Sequence, residues 1–428
     1  MNIDANTLKA TVEEHRERLL RTLEDLIALP SENRSPNGAE SACQQYLAEQ
    51  LTHAGYAVDL YTPDSVPSLA DHPLRTPGRH YADRPNLAVK RQGSGGGRSL
   101  LLSGHIDTVP VGTLPWTRQP LRAKRDGNRI YGRGANDMKA GIAINLFILQ
   151  VLDDLGLTLC GDLLFESVVD EEFGGVNGTL AARLRGPLPD AAVLTEPSSL
   201  RICAGQRGGR TVHLLFSAKG GVLNGSAGAG VIAQVSHFLN ALPTFAAQRK
   251  QGCAVHPLYA ACEDPVPVTV TKMTTGPWGT AEPITVPEEC RVELYWQLMP
   301  GELEDDVNED FQAWLQQLVT GAPDIYAQPP AVTTAVRWLP GSAWPADARL
   351  CVELAAAAEQ VTATLPVIVG IEGPCDLFVF HQFGIPAVLW GPRGGNTHGS
   401  DEYVEIDSML RAAAALLLFV CRWCGVAA

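Results

Sequence analysis

Hydrophobic positions along this 428-residue chain follow one rhythm at its two ends and another in its middle. In the first half, short unbroken apolar runs alternate with stretches of helical spacing. Leu19, Leu20, Leu23, Leu26 and Ile27 fall on one helical face within a charged opening segment that ends at Pro30. A second helix is expected over Ala39–Ala54 and an edge strand over Tyr56–Leu60. Ser65–Arg84, rich in Pro, His and Asp, reads as a loop. Asn86–Gln92 and Ser99–Ser103 read as paired strands joined by the glycine-rich turn Gly93–Gly97, and Ala140–Leu155 as a helix opening at Asp137. Strands and helices then alternate through Glu196. That order implies an α/β fold with a mostly parallel central sheet and helices on both faces.

The rhythm changes near Arg207. Thr211–Ala218, Val266–Thr274, Glu289–Leu298 and Ala331–Leu339 alternate as half-buried strands, while Gly230–Leu242 and Glu304–Val319 have helical spacing. The order β-α-β-β-α-β is that of a ferredoxin-like α+β unit. Three segments are therefore expected: a first part of the large domain over 1–206, an inserted domain over 207–338, and the remainder of the large domain over 339–428. The last part carries a helix at Asp347–Val361, a strand at Pro386–Trp390 and a terminal helix at Ser408–Cys424.

Charge and composition narrow the function. The net charge is −14, and apolar residues make up 45% of the chain, enough for large cores. Nucleic acid and anionic membranes call for a basic face, so neither is expected as a partner. The opening segment lacks a signal peptide's apolar core, and the apolar stretch Ala412–Cys421 is too short to span a bilayer. A soluble, cytoplasmic enzyme is expected. Ten cysteines are scattered, most in apolar surroundings. Cys421 and Cys424 form a CxxC with no second pair beside it, which reads as structural.

The chemistry lies where apolar runs stop. Ser99–Asp107 ends in His105 and Asp107, Asp162–Glu172 in Asp170, Glu171 and Glu172, Ala191–Glu196 in Glu196, and Pro386–His398 runs from a strand to His398. In an open α/β sheet, ligands bind beyond the carboxyl ends of the strands. His105 and Asp107 lie two apart, so an extended backbone puts them on one face, where Asp107 could orient the imidazole. A core histidine bonded to its neighbour has the same pattern. Asp137 follows the glycine-rich run Gly132–Gly134 and could equally cap the next helix. The acidic triplet 170–172 repels itself unless a cation is near, though a solvated turn is the simpler alternative. Together these positions supply two histidines and three carboxylates, with one glutamate to spare. That set suits two divalent ions sharing a bridging carboxylate, most readily zinc, with manganese or cobalt as alternatives.

The motifs Gly104–Pro110 (GHIDTVP), Gly132–Gly141, Asp170–Glu172, Thr195–Pro197 and His398–Tyr403 resemble, in order and spacing, those of the M20 metallopeptidase family, and the resemblance covers nearly the whole chain. It implies a zinc-exopeptidase-like catalytic domain with an inserted lid that forms a homodimer interface. By the same resemblance His105 and Glu196 would hold one ion, Glu172 and His398 the other, and Asp137 would bridge them. Asp107 would support His105, and Glu171 would be the general base that takes a proton from the attacking water. A cis peptide bond after Asp137 is implied as well. The lid departs from the family pattern. Asn224 stands where a histidine is usual, Ile284 where an asparagine is usual, and Gln297 where an arginine helps to bind a substrate carboxylate. Asn224 could still donate to an oxyanion, but Gln297 lacks the bidentate fork of arginine. Arg207, Arg210 and Arg393 could replace that fork or could be solvated surface. The expected activity is hydrolysis of an amide or peptide bond in a small N-acyl amino-acid-like substrate, with atypical recognition by the lid. The alternative is a non-hydrolytic condensation, cyclisation or elimination on an amino-acid-derived metabolite.

Overall fold

The computed structural model describes residues 4–220, 230–282 and 285–427. The chain forms two compact units. The first comprises Met1–Gly205, Ala343–Ile371 and Cys375–Ala428, and the second Gln206–Ser342 with Glu372–Pro374.

The first unit is built on a mixed sheet. Four parallel strands form its middle, in the order Ala387–Leu389, Ala192–Leu194, Leu100–His105, Leu163–Val168. Asn86–Arg91 pairs antiparallel with Leu163–Val168, and Asp59–Tyr61 antiparallel with Asn86–Arg91. At the other side Ile202–Gln206 runs antiparallel to Ala387–Leu389. Leu101, Leu194 and Leu389 bury one face against Leu377 and Phe380. The helix Lys139–Asp154 packs on the central strands, and Gly141 lets it approach closely: a Cβ there would lie 2.1 Å from the Thr195 carbonyl oxygen. The buried Lys139 ammonium donates to the carbonyls of Leu26 and Leu29, at 2.8 and 2.9 Å, and so closes the end of the helix Arg16–Ala28.

Register sets where this sheet can act. His105 pairs with Val168, Ser103 with Leu194, and Leu389 with Leu194, so the parallel strands finish along one edge. A small antiparallel sheet of Gly394–Gly395, Tyr403–Glu405, Arg129–Tyr131 and Lys124–Asp126 joins the segment before Asp137 to the loop that holds His398. These strands are too short to show a period in the sequence.

Two local expectations need correction. Asn86–Arg91 and Leu100–His105 do not pair, because Leu163–Val168 lies between them and bonds to both. Their connection is therefore no hairpin turn: the amides of Ser94 and Gly95 donate to the carbonyls of Leu159 and Cys160, at 2.8 and 2.9 Å. The helix expected to stop at Leu242 continues from Val231 to Gly252 through Pro243, because Phe245 and Arg249 beyond the proline are buried. Among the described residues, no helix is long and apolar enough to cross a membrane.

The second unit contains Gly208–Ser217, Val231–Gly252, Val268–Thr275, Glu289–Leu298, Glu304–Thr320 and Ala331–Leu339. Its strands form one antiparallel sheet with Glu289–Leu298 and Gly208–Ser217 in the centre and the other two at the edges. Strand alternation turns Val292, Leu294, Trp296 and Leu298 inward, where Phe245 and Phe311 lie against Trp296 with ring centres 5.7 and 5.0 Å away. Truncating a buried tryptophan of this kind removes about 3–5 kcal/mol. Urea titration of Trp296→Ala is expected to show a loss of that size, and a loss below about 1 kcal/mol would mean that the aromatic cluster does not hold this unit together.

Candidate metal centre

Five segments converge on one place. His105 is the last residue of Leu100–His105, Glu171 and Glu172 follow Leu163–Val168, and Glu196 follows Ala192–Leu194. Asp137 stands just before the helix Lys139–Asp154, and His398 lies between the short strands Gly394–Gly395 and Tyr403–Glu405. The Asp137–Met138 peptide bond is cis. Asp170, Phe173 and His398 have φ near +60° (65°, 61° and 62°), a conformation uncommon for residues other than glycine.

The side chains meet in two groups that share one carboxylate. His105 Nε2 is 3.1 Å from Asp137 Oδ1 and 3.4 Å from Glu196 Oε1. His398 Nε2 is 3.3 Å from Asp137 Oδ2 and 3.2 Å from Glu172 Oε2. The two oxygens of Asp137 thus face different imidazoles. Glu171 Oε2 lies 3.9 Å from His105 Nε2. Ligand atoms of His105, Asp137 and Glu172 all lie within 4.8 Å of one another. His105, Glu172 and Glu196 are buried, whereas the His398 side chain is half exposed.

Asp107 lies beside His105 and also holds the neighbouring backbone. His105 Nδ1 lies 2.9 Å from the backbone carbonyl of Asp107 and 3.6 Å from its carboxylate. The carboxylate also accepts from Asn33 Nδ2 at 2.9 Å and from the amides of Glu171 and Glu172 at 3.2 and 3.0 Å. Asp107 therefore fixes the backbone that carries Glu171 and Glu172. Asn33 also donates to Asp170 Oδ1, at 3.2 Å. Asn33, Asp376 and Glu402 were not singled out from the sequence. The first two sit outside the acidic and histidine motifs, and Glu402, inside one, reads as an ordinary turn acid.

The electrostatics are those of crowded negative charge. Burial pushes Glu196 up to about 8, and the charges of Asp137, Glu172 and Asp376 add to it despite the opposing pull of His105. Burial likewise raises Glu171 well above the carboxylate range, with Asp376, Glu196 and Glu172 reinforcing it against His105. Burial also pushes Asp376 up to about 7. Burial would lower His398, but Asp137 and Glu172 overcome it and raise the ring to about 10. His105 is raised well above the histidine range in the same way, by Glu196, Asp107 and Asp137 against its own burial. With protein groups alone, this cluster keeps protons it would shed in water. Imidazole and carboxylate donors in this balance fit divalent cations.

The residues expected to touch substrate are spread over both units. Arg207 and Gln297 belong to the second unit, where Arg207 Nη1 donates to Gln297 Oε1. Arg207 is buried, with its guanidinium 5.2 Å from the ring centre of Tyr259. Arg210 is also buried in that unit and donates to Thr334 Oγ1 at 3.1 Å. Neither is solvated surface. Arg393 belongs to the first unit and is mostly exposed, 3.9 Å from Glu405. Asn224 and Ile284 lie outside the described residues.

Fold and cluster together define a metal-dependent hydrolase. The chain belongs to peptidase family M20/M25/M40, whose family model matches residues 101–422. It is 25% identical to the N-formyl-4-amino-5-aminomethyl-2-methylpyrimidine deformylase of Bacillus subtilis, over 98% of this chain and 97% of that protein. It is 37% identical to the succinyl-diaminopimelate desuccinylase of Methylobacterium radiotolerans, over 42% of each chain. Among solved structures, the dipeptidase Dug1p of Saccharomyces cerevisiae shares the fold with a TM-score of 0.76 over 99% of both chains, at 13% identity.

The raised pKa values predict a pH dependence for metal binding at this cluster. Glu196 is raised from its ordinary 4.5, so its contribution to metal-free stability is full below about 4.5 and is lost as pH rises through about 8. His398 contributes fully below about 6.5 and loses that contribution as pH rises through about 10. Both groups must lose their protons to ligate a metal. The rise in Tm on adding Zn²⁺ to metal-stripped protein is therefore expected to be larger at about pH 8 than at about pH 6. Differential scanning fluorimetry checks this, and an equal or smaller rise at the higher pH would contradict the assignment of these two groups as ligands.

Proposed function

We propose that this protein is a dinuclear amidohydrolase that removes a small acyl group, such as formyl, from an amine whose substrate carries no free α-carboxylate. The observation that carries the reading is the Asp137 carboxylate, with one oxygen 3.1 Å from His105 and the other 3.3 Å from His398. His105 and Glu196 would hold one ion, His398 and Glu172 the other, and Asp137 both. Zinc suits these donors best, and manganese or cobalt would also fit. Divalent ions bound there would polarise the scissile carbonyl and acidify the attacking water.

The remaining work falls to the chain's own groups. Glu171 is the general base. Its carboxylate is largely buried and lies 3.9 Å from His105 Nε2, beside the groups that would hold the ions. It takes a proton from water as the new C–O bond forms, and passes it to the leaving nitrogen as the C–N bond breaks. The products are a carboxylic acid and an amine, and the acid then loses its proton to give the carboxylate. Asp107 keeps Glu171 in place through the Glu171 amide. Two facts support a substrate without a carboxylate. Gln297 has no fork for one, and its amide NH₂ already donates to the Glu372 carbonyl. The deformylase aligned over nearly the whole chain acts, by its name, on an aminopyrimidine that has no carboxylic acid.

Glu171→Gln is expected to lower kcat by about 10²–10⁴-fold while metal content stays at the wild-type level. Steady-state kinetics with parallel metal analysis checks this, and wild-type turnover in the variant would remove Glu171 from the mechanism. On the wild-type enzyme, kcat/KM for the N-formyl aminomethylpyrimidine should exceed that for N-acetylornithine and N-succinyl-diaminopimelate. A preference for either amino-acid substrate would overturn the proposed substrate class.

A further inference from the structure

Glu402 is a buried acid four residues after His398, with 1% of its surface exposed. It lies next to the strand Tyr403–Glu405, whose pairing with Arg129–Tyr131 carries it to the segment just before Asp137. There its two oxygens collect donors from one short run of backbone. Oε1 accepts from the amides of Asn136 and Asp137, at 2.9 and 3.0 Å. Oε2 accepts from the amide of Gly134 at 3.0 Å and from Arg133 Nη1 at 2.7 Å. The Glu402 carbonyl also receives the Gly132 amide, at 2.9 Å. Two further bonds tie the same run to the His398 loop: Asn136 Nδ2 donates to Thr397 Oγ1 at 2.8 Å, and Arg133 Nη2 to the His398 carbonyl at 3.4 Å.

Both Glu402 oxygens are committed to these donors, so Glu402 is not itself a ligand in this arrangement. What it controls is Asp137. The orientation of a carboxylate that must turn one oxygen to His105 and the other to His398 depends on the backbone that carries it, and that backbone is fastened at Asn136 and Asp137 by Glu402. We infer that Glu402 is a positioning residue: it sets the Asp137 carboxylate so that two cations can share it, and couples that setting to the loop of His398. The inference rests on the proposed metal site. It concerns supporting hydrogen bonds of the kind whose loss typically weakens metal affinity by about 10–100-fold.

The chemistry of substitution is unfavourable for an amide. In Glu402→Gln one of the two acceptor oxygens becomes an NH₂ donor, which faces two N–H groups whichever way the amide is turned. Glu402→Asp keeps both acceptors and the charge but is one methylene shorter. Glu166→Gln serves as a control, since Glu166 is also buried and paired, with Arg183 and Ser103, but touches none of the ligands.

The experiment is to strip wild type and the three variants of metal, then titrate each with Zn²⁺ in competition with a chromophoric chelator while following metal-free folding by circular dichroism. Wild type is expected to bind two ions. Glu402→Gln should bind the weaker of the two about 10–100-fold less tightly, and Glu166→Gln should bind both as wild type does. The inference is overturned if Glu402→Gln binds both ions as tightly as wild type, or no more weakly than Glu166→Gln does. Should Glu402→Gln not fold, Glu402→Asp decides: weakened binding of one ion supports the role, and wild-type binding overturns it. A wild-type protein that binds no Zn²⁺, Mn²⁺ or Co²⁺ would instead overturn the proposed metal site from which the inference starts.

Discussion

One carboxylate between two imidazoles organises this molecule. Asp137 lies 3.1 Å from His105 and 3.3 Å from His398, with Glu196 and Glu172 beside the same two ring nitrogens. Burying that many acids together is unfavourable unless positive charge is present, and the two histidines answer only part of it. Burial and the neighbouring acids together hold Glu171, Glu196 and Asp376 above the usual carboxylate range. The parallel strands that end along one edge, the left-handed residues at 170, 173 and 398, and the small sheet at 129–131 and 403–405 hold these groups together against their repulsion.

Two further acids do this holding without joining the cluster's outer face. Asp107 takes the amides of Glu171 and Glu172, and Glu402 takes those of Gly134, Asn136 and Asp137. Each therefore converts a flexible connection into a fixed one by satisfying backbone donors that would otherwise need water. The division is physical. Side chains that are to ligate cations must keep lone pairs free, so the acids that pin the backbone have to be different ones.

Some of this was legible in the sequence and some was not. The positions of His105, Glu172 and Glu196 could be read because an apolar strand must stop where its side chains become polar, and parallel strands stop at the same edge. The alternation of Val292, Leu294 and Trp296 similarly exposed a strand with one buried face. The neighbour of Leu100–His105 could not be read, because a glycine-rich connection looks the same whether it turns a hairpin or passes over an intervening strand. The actual partners of Asp107 and Glu402 were hidden for another reason. Most are backbone amides, which carry no residue identity. Pro243 misled in the opposite direction, since the burial of Phe245 and Arg249 keeps the helix going past a residue that usually ends one.

Everything in the site turns on whether two ions share Asp137. X-ray absorption at the zinc edge of the fully loaded protein measures this directly. A shared Asp137 predicts a metal–metal scattering shell at about 3.5–4 Å, with nitrogen and oxygen donors in the inner shell of both ions. A single zinc with no metal–metal shell, or a shell of sulfur donors, would contradict it.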